Sequence, residues 1–450
     1  MGIVIHMRVS KSITEGEWGR IYEESLKLVE AFPLAEMGEI SYAGQQVACA
    51  VRTREREVPY RSGTKRGWCT EMDYETLNWA ESYYLLKDFV DNGNIDSDAG
   101  DAIMGAALNC MDYEWKQEKF DRTYSLWGAK TQGEPYHMYL LSIACMIEDR
   151  LGEKAFIYGD ITRGQCQKAV EMANQYLQEP IRLPASCDMG RLYERIQQLP
   201  IEENEKMNVF EHFYLGEQDK TFYDFIQNQF HADAIRAYWE KRFANSMIGT
   251  MGFVKDLKAY LSSGAGLAEL CGIVCMEDRE GNPQYEKFIN AVMDSKLHIK
   301  EKNTKDYLDI PQGERQPYGI WRLEAELVYG SAHNRKVERY IPIGEIRQAL
   351  RNGIGDKCDT NQYIDQYLEK EAAAPEINAL KENITDEELM EMAETDAAEV
   401  FSQLMNKKTE KMLNLRKQYA HLDYVDLNDY KKGSTITPEL KEAVGKSFQI

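Results

Sequence analysis

Between Thr123 and Leu199 one pattern recurs three times: a short apolar run, a polar loop and an amphipathic helix. Residues 124–127 read as a strand and 128–133 as the loop after it. Pro135 suits the first position of a helix, where a missing N–H costs nothing. Residues 138–151 are apolar nearly all round, which predicts a deeply buried helix that Gly152 can end. Residues 155–158 form a continuous apolar run, typical of a strand covered on both faces. Gly159 and Asp160 turn the chain, and Thr162-Arg163-Gly164-Gln165 is a capping box that opens the next helix. Cys166, Ala169, Val170, Ala173 and Leu177 mark one face of that helix, and Pro180 stops it. Residues 181–183 are a third strand candidate, and Asp188 can cap a helix with Leu192, Ile196 and Leu199 on its apolar face. Crossovers between parallel strands are right-handed and lay helices over the sheet. The expectation is therefore a short parallel three-stranded βαβ unit.

The flanking sequence sets the rest of the fold class. Residues 3–9, with their β-branched side chains and Ser10 closing the run, read as a strand. Thr14-Glu15-Gly16-Glu17 is a capping box, followed by Trp18, Ile21, Tyr22, Leu26, Val29 and Phe32 at helical spacing. Residues 47–51 look like a strand leading into a charged run at 52–57, and 76–89 fit helix or strand equally. After Glu202 the chain reads as helices, with Phe210, Phe213, Phe222, Phe225, Phe230 and Trp239 as core candidates. The predicted class is α+β and helix-rich: an N-terminal α+β unit, the parallel βαβ unit in the middle, and a largely helical C-terminal half. At 450 residues, about three domains are expected. The boundaries fall at 1–95, 96–200 and 201–375, the last with a β-hairpin near 320–343, before a helical segment at 376–450. Thr385-Asp386-Glu387-Glu388 opens the long charged helix of that segment.

Bulk properties exclude several classes. Hydrophobic residues make up 43% and charged residues 29%, enough for a real core without disulfides or metals and too apolar for a disordered chain. No run approaches the ~20 apolar residues of a membrane helix. The opening Met1–Arg8 stretch has no basic segment followed by a long apolar one, so no secretory signal is expected. Nine cysteines lie singly with no Cys-x-x-Cys, as befits reduced thiols in the cytosol. Acidic residues exceed basic ones by 75 to 54, a net charge of −21. That balance argues against a broad nucleic-acid face. It suits a basic protein partner, although solubility alone would also explain it.

Four places could carry chemistry. In a parallel sheet, the loops after the strands share one edge, and helix starts there suit phosphate or carboxylate. On that expectation Lys130, Thr131, Gly133, Thr162, Arg163, Gly164 and Gln165 are ligand-binding candidates. Cys166 and His137 would form a nucleophile–base pair in the first turns after the loops, with Asp160 beside them. The same residues also read as turns, caps and core. Residues 88–99 resemble a calcium loop, but Val90 and Ala99 stand where ligands are needed. Cys271 and Cys275 have helical spacing but lack the further ligands zinc requires. His333, Asn334, Arg335, Lys336 and Arg339 form a local basic patch. No Walker, Gly-x-Gly-x-x-Gly, His-Glu-x-x-His or Gly-x-Ser-x-Gly motif occurs, and no metal or cofactor is expected.

Together these features point to a cytoplasmic binding or regulatory protein that acts through protein–protein contacts, towards a basic partner. The alternative is an enzyme or sensor that binds a phosphorylated small molecule or nucleotide at the C-terminal edge of the parallel sheet.

Overall fold

The first strand, β1 (Val4–Ser10), buries Ile5, Met7 and Val9 completely and leaves the residues between them half-exposed or at its end. It belongs to a computed structural model that describes residues 3–42, 45–60, 63–74, 77–89, 101–110, 123–278, 280–295, 297–298, 340–373 and 424–426. Contacts separate two units. One is built from the chain up to Leu199 with 424–426, the other from Pro200 onward with the helices between 340 and 373.

In the first unit, α1 (Glu15–Ala31) starts at the expected capping box. Thr14 accepts from the Glu17 amide at 3.3 Å, and the Thr14 amide donates to the Glu17 carboxylate at 2.8 Å. Trp18, Ile21, Tyr22, Leu28 and Val29 form its buried stripe. The strands β2 (Leu34–Tyr42), β3 (Gln45–Arg52), β4 (Arg56–Tyr60), β5 (Gly63–Asp73) and β6 (Trp79–Leu86) follow. They make an antiparallel sheet that the short strand β9 (Tyr424–Asp426) joins along β3. Next come α2 (Ala102–Cys110), β7 (Thr123–Lys130), α3 (Tyr136–Leu151), β8 (Ala155–Gly159), α4 (Arg163–Asn174) and α5 (Met189–Gln197).

The second sheet of this unit has the order β7-β1-β8, and β1 runs antiparallel to both neighbours. β7 and β8 therefore point the same way, with α3 as the crossover, but β1 lies between them. The expected parallel three-stranded unit is not formed: every strand pair among the described residues is antiparallel. Two physical causes account for the difference. β1, well over a hundred residues upstream, has the apolar alternation to fill the central slot. Residues 181–183, meanwhile, use their backbone elsewhere. The Ile181 amide donates to Asn174 Oδ1 at 2.7 Å, its carbonyl accepts from Asn174 Nδ2 at 3.1 Å, and the Leu183 carbonyl accepts from Arg191 at 2.7 Å.

α3 is buried nearly all round, as its sequence predicts, and packs on α1, α4, β1 and β8. It carries a fully buried carboxylate, Glu148, that accepts from the Ile157 and Ala185 amides at 2.8 Å each. Burial pushes the Glu148 carboxyl upward, against the nearby Arg195 guanidinium. Arg195 in turn grips Asp101 with two hydrogen bonds of 2.7 and 2.6 Å and lies over the Phe156 ring, tying α5 to β8 and the start of α2. Among the described residues, side chains rather than a further strand meet the edge of β6. Trp127 Nε1 donates to the Tyr84 carbonyl at 2.9 Å, and the Tyr136 hydroxyl donates to that of Glu81 at 3.0 Å.

The second unit is helical: α6 (Glu203–Phe213), α7 (Lys220–Gln229), α8 (Ala232–Ala244), α9 (Met251–Ser262), α10 (Leu267–Ile273), α11 (Tyr285–Asp294), α12 (Ile343–Ile354) and α13 (Thr360–Ala373). Phe210, Phe222, Trp239, Phe243, Phe253 and Phe288 supply its aromatic core. Asp219 and Thr250 cap α7 and α9 through their side chains. α10 ends at Ile273, so Cys271 is buried in it while Cys275 lies exposed beyond its end. The charged helix after Thr385, the patch from His333 to Arg339, all but the last residues of the 320–343 hairpin and most of the 88–99 loop lie outside the described residues. Among the described residues no helix is long and apolar enough to cross a membrane.

Candidate functional site

β7 and β8 end where β1 begins, because Val4 faces Lys130 and Ile5 faces Gly159. The loops after β7 and β8 therefore stand on either side of the first residues of β1. Both are turned towards that strand. From the β7 side, the Thr131 amide donates to the Ile3 carbonyl at 2.8 Å and its hydroxyl donates to the same oxygen at 3.3 Å. From the β8 side, the Asp160 amide donates to the Val4 carbonyl at 2.9 Å, and Asp160 Oδ2 accepts from the Val4 amide at 2.9 Å. Gly159 makes that approach possible: its φ is +119°, and a Cβ there would sit 2.5 Å from the Val4 carbonyl oxygen.

On the α3 side the site is sealed. His137, in the first turn of α3, is 1% exposed, with Nδ1 2.7 Å from the Thr131 hydroxyl. Nδ1 and the Thr131 hydroxyl share this hydrogen bond, the donor being whichever of them carries the proton. Gln165 approaches the ring from α4, yet Nε2 closes no hydrogen bond of good geometry. Burial pulls the His137 imidazole down to about 4, against the opposing contact with Gln165. Gln165 is itself buried and completes the capping box, with Oε1 accepting from the Thr162 amide at 3.0 Å.

Cys166 is fully buried, and its thiol touches those of Cys145 and Cys187 rather than the imidazole of His137. The contact with Cys145 and then burial raise it well above the usual thiol range, against Cys187, so it is a protonated core sulfur at neutral pH. Thr131 and Gly133 are also buried, Thr162 and Gly164 are half-buried, and Lys130 and Arg163 are exposed. The two loops thus meet, through Thr131, His137 and Gln165, but behind the strand they hold.

On the opposite face α2 packs against β1 and β8. His6 is half-buried and stacks on Tyr158 at 4.9 Å, and the Tyr158 hydroxyl accepts from Asn109 of α2 at 3.1 Å. Burial lowers the His6 imidazole, Asp160 opposes this and Arg8 adds to it. Gly128, directly across in β7, leaves the ring room: a Cβ there would come within 3.2 Å of Nδ1. Sequence reasoning missed His6, because no local signal links β1 to residues 128 and 158. Gly128 had read as the start of a loop, whereas the strand continues to Lys130. Chemically, the His6 imidazole, which burial disposes towards its neutral form, and Asp160, whose Oδ2 is engaged by the Val4 amide, lie near each other at this end of the sheet. Among the described residues no group of three or more His, Cys, Asp or Glu side chains could hold a metal ion. Compared with known proteins, the chain matches no family model, no curated protein and no solved structure at a significant level.

Proposed function

We propose that this is a binding or regulatory protein that works in the cytoplasm by contacting a basic partner protein. The observation that carries the reading is the use made of the polar loops. Thr131 and Asp160 hold β1, while His137 and Cys166 are sealed in the core, which leaves neither of the last two poised for chemistry on a substrate. The surplus of 21 negative charges supports a basic partner through complementary fields. Nine free cysteines suit a reducing compartment. The test is co-purification of partners from cell extract over a salt series. A partner steered by charge is released as salt rises, and binding unchanged at high salt sinks that part of the reading.

A second reading rests on Lys130 and Arg163, exposed at the same sheet end with no ion-pair partner among the described residues. They would hold a phosphorylated small molecule at the rim. A thermal-shift panel of nucleotides and sugar phosphates tests it: a hit abolished by Arg163→Ala favours this reading, and no response favours the interaction protein.

A further inference from the structure

The edge of the six-stranded sheet carries a contact that neither loop reading uses. β3 pairs along its whole length with β2, from Arg52 opposite Ala35 to Gln45 opposite Tyr42. Its other edge meets β9, which brings only three residues and comes from the far end of the chain. Tyr424 stands opposite Val51, Val425 opposite Ala50 and Asp426 opposite Cys49. Among the described residues, 45–48 have no strand on that side.

The edge of a sheet presents a row of N–H and C=O groups that template another strand. Here the template lies against the core, because Cys49, Ala50 and Val51 are buried. An occupant of three residues is shorter than the about 5–6 of an ordinary strand and closes few ladder bonds. A longer strand can pair residues 45–48 as well, and so gains bonds that β9 does not make there. A second copy of the chain has no such advantage. It carries the same β9, seated on its own β3, so an exchange between copies gains no pairs.

From this geometry we propose that the outer edge of β3 is a docking strip for an extended segment of another protein, and that β9 is its built-in competitor. The segment runs antiparallel to β3, with an aromatic residue opposite Val51 and a β-branched one opposite Ala50, the order that β9 itself presents. Backbone hydrogen bonds supply the affinity, and the residues opposite 49–51 supply the selectivity. β9 lowers the apparent affinity according to the fraction of molecules in which it is seated. The strip makes no use of the partner's charge, so it stands apart from the basic-partner reading.

The probe is a labelled peptide with the sequence of residues 421–430, titrated into the full chain and read by fluorescence anisotropy. One variant carries both Val425→Pro and Asp426→Pro. Successive N–H groups of a strand point to opposite sides, so one of the two prolines removes a donor that faces β3. The expected result is saturable binding to the double-proline chain, at least ~10-fold tighter than to the native chain, where β9 competes. Tyr424→Ala keeps the β9 backbone and should tighten peptide binding in the same direction by a smaller factor, so the result does not hang on one variant folding. Hydrogen exchange locates the site: amides among residues 49–51 should exchange faster in the double-proline chain and slow again when the peptide is added. A peptide with the same two prolines should not bind. No saturation with either variant, equal affinity for the native and double-proline chains, or binding of the proline peptide would each overturn the proposal. So would a dimer of the native chain that the two prolines abolish, since that would give the edge to a second copy. The salt series on whole partners is independent, and its failure leaves this strip untouched.

Discussion

Acidifying the protein should loosen the clasp on β1 through one residue, His137. Its imidazole is neutral at pH 7 in both the folded and the unfolded chain, so it contributes no pH dependence there. As pH falls through 6.5 the unfolded imidazole takes up a proton, while burial holds the folded one neutral down to about 4. Stability is therefore present above pH 6.5, is lost progressively between 6.5 and about 4, and changes no further below that. The interval, at about 1.4 kcal/mol per pH unit, is worth about 3 kcal/mol. The loss should be felt first where His137 acts, at Thr131 and the first residues of β1. Native-state hydrogen exchange reads this locally and avoids treating a chain of two units as one cooperative transition. The opening free energy at the Thr131 amide should fall between pH 7 and 4 by about 3 kcal/mol more in the native chain than in His137→Gln, in which carboxylates titrate alike. A pH-independent difference between the two proteins would refute the argument, as would an imidazole signal for His137 that titrates near 6.5 in the folded state.

Other substitutions test neighbouring joints. Gly159→Ala forces a left-handed φ on a side chain and drives its Cβ into the Val4 carbonyl, so a destabilisation of about 1–3 kcal/mol is expected in thermal melts; an unchanged melting point would contradict the close approach. Arg195→Ala leaves Asp101 and Glu148 buried without their cation and should cost about 3–5 kcal/mol in urea unfolding, whereas a loss within 1 kcal/mol would show that the pair is not a structural tie. Thiol labelling of the native protein should modify the exposed Cys275 rapidly and spare Cys145, Cys166 and Cys187. Labelling of Cys166 at the rate of Cys275, followed by mass spectrometry, would reopen a nucleophilic role.

What was legible in the sequence was local. The capping boxes at Thr14 and Thr162 are formed as their side chains require, and the all-round apolar character of α3 is matched by its burial. The 155–158 run is a buried strand, but burial on both faces does not encode the direction of a neighbour. β1 can flank β8 as an antiparallel partner and satisfy the same apolar pattern, and nothing within a window of residues reveals a pairing across 150 positions. Residues 181–183 failed as a strand for a reason only the tertiary structure supplies, the amide side chain of Asn174. The two loops were identified as polar and as sharing an edge. That their hydroxyl and carboxylate groups would turn inward to the start of β1, leaving His6 as the half-buried group, depends on the same unreadable pairing.

The central claim is that β1 lies between β7 and β8 and is held there from both sides. Cross-strand nuclear Overhauser contacts of Met7 measure it most directly. The structure pairs Met7 with both Trp127 and Ile157, so its backbone protons should show contacts to each of them at once. Direct backbone contacts between residues 124–129 and 155–159, with none from Met7 to one of the two strands, would contradict it.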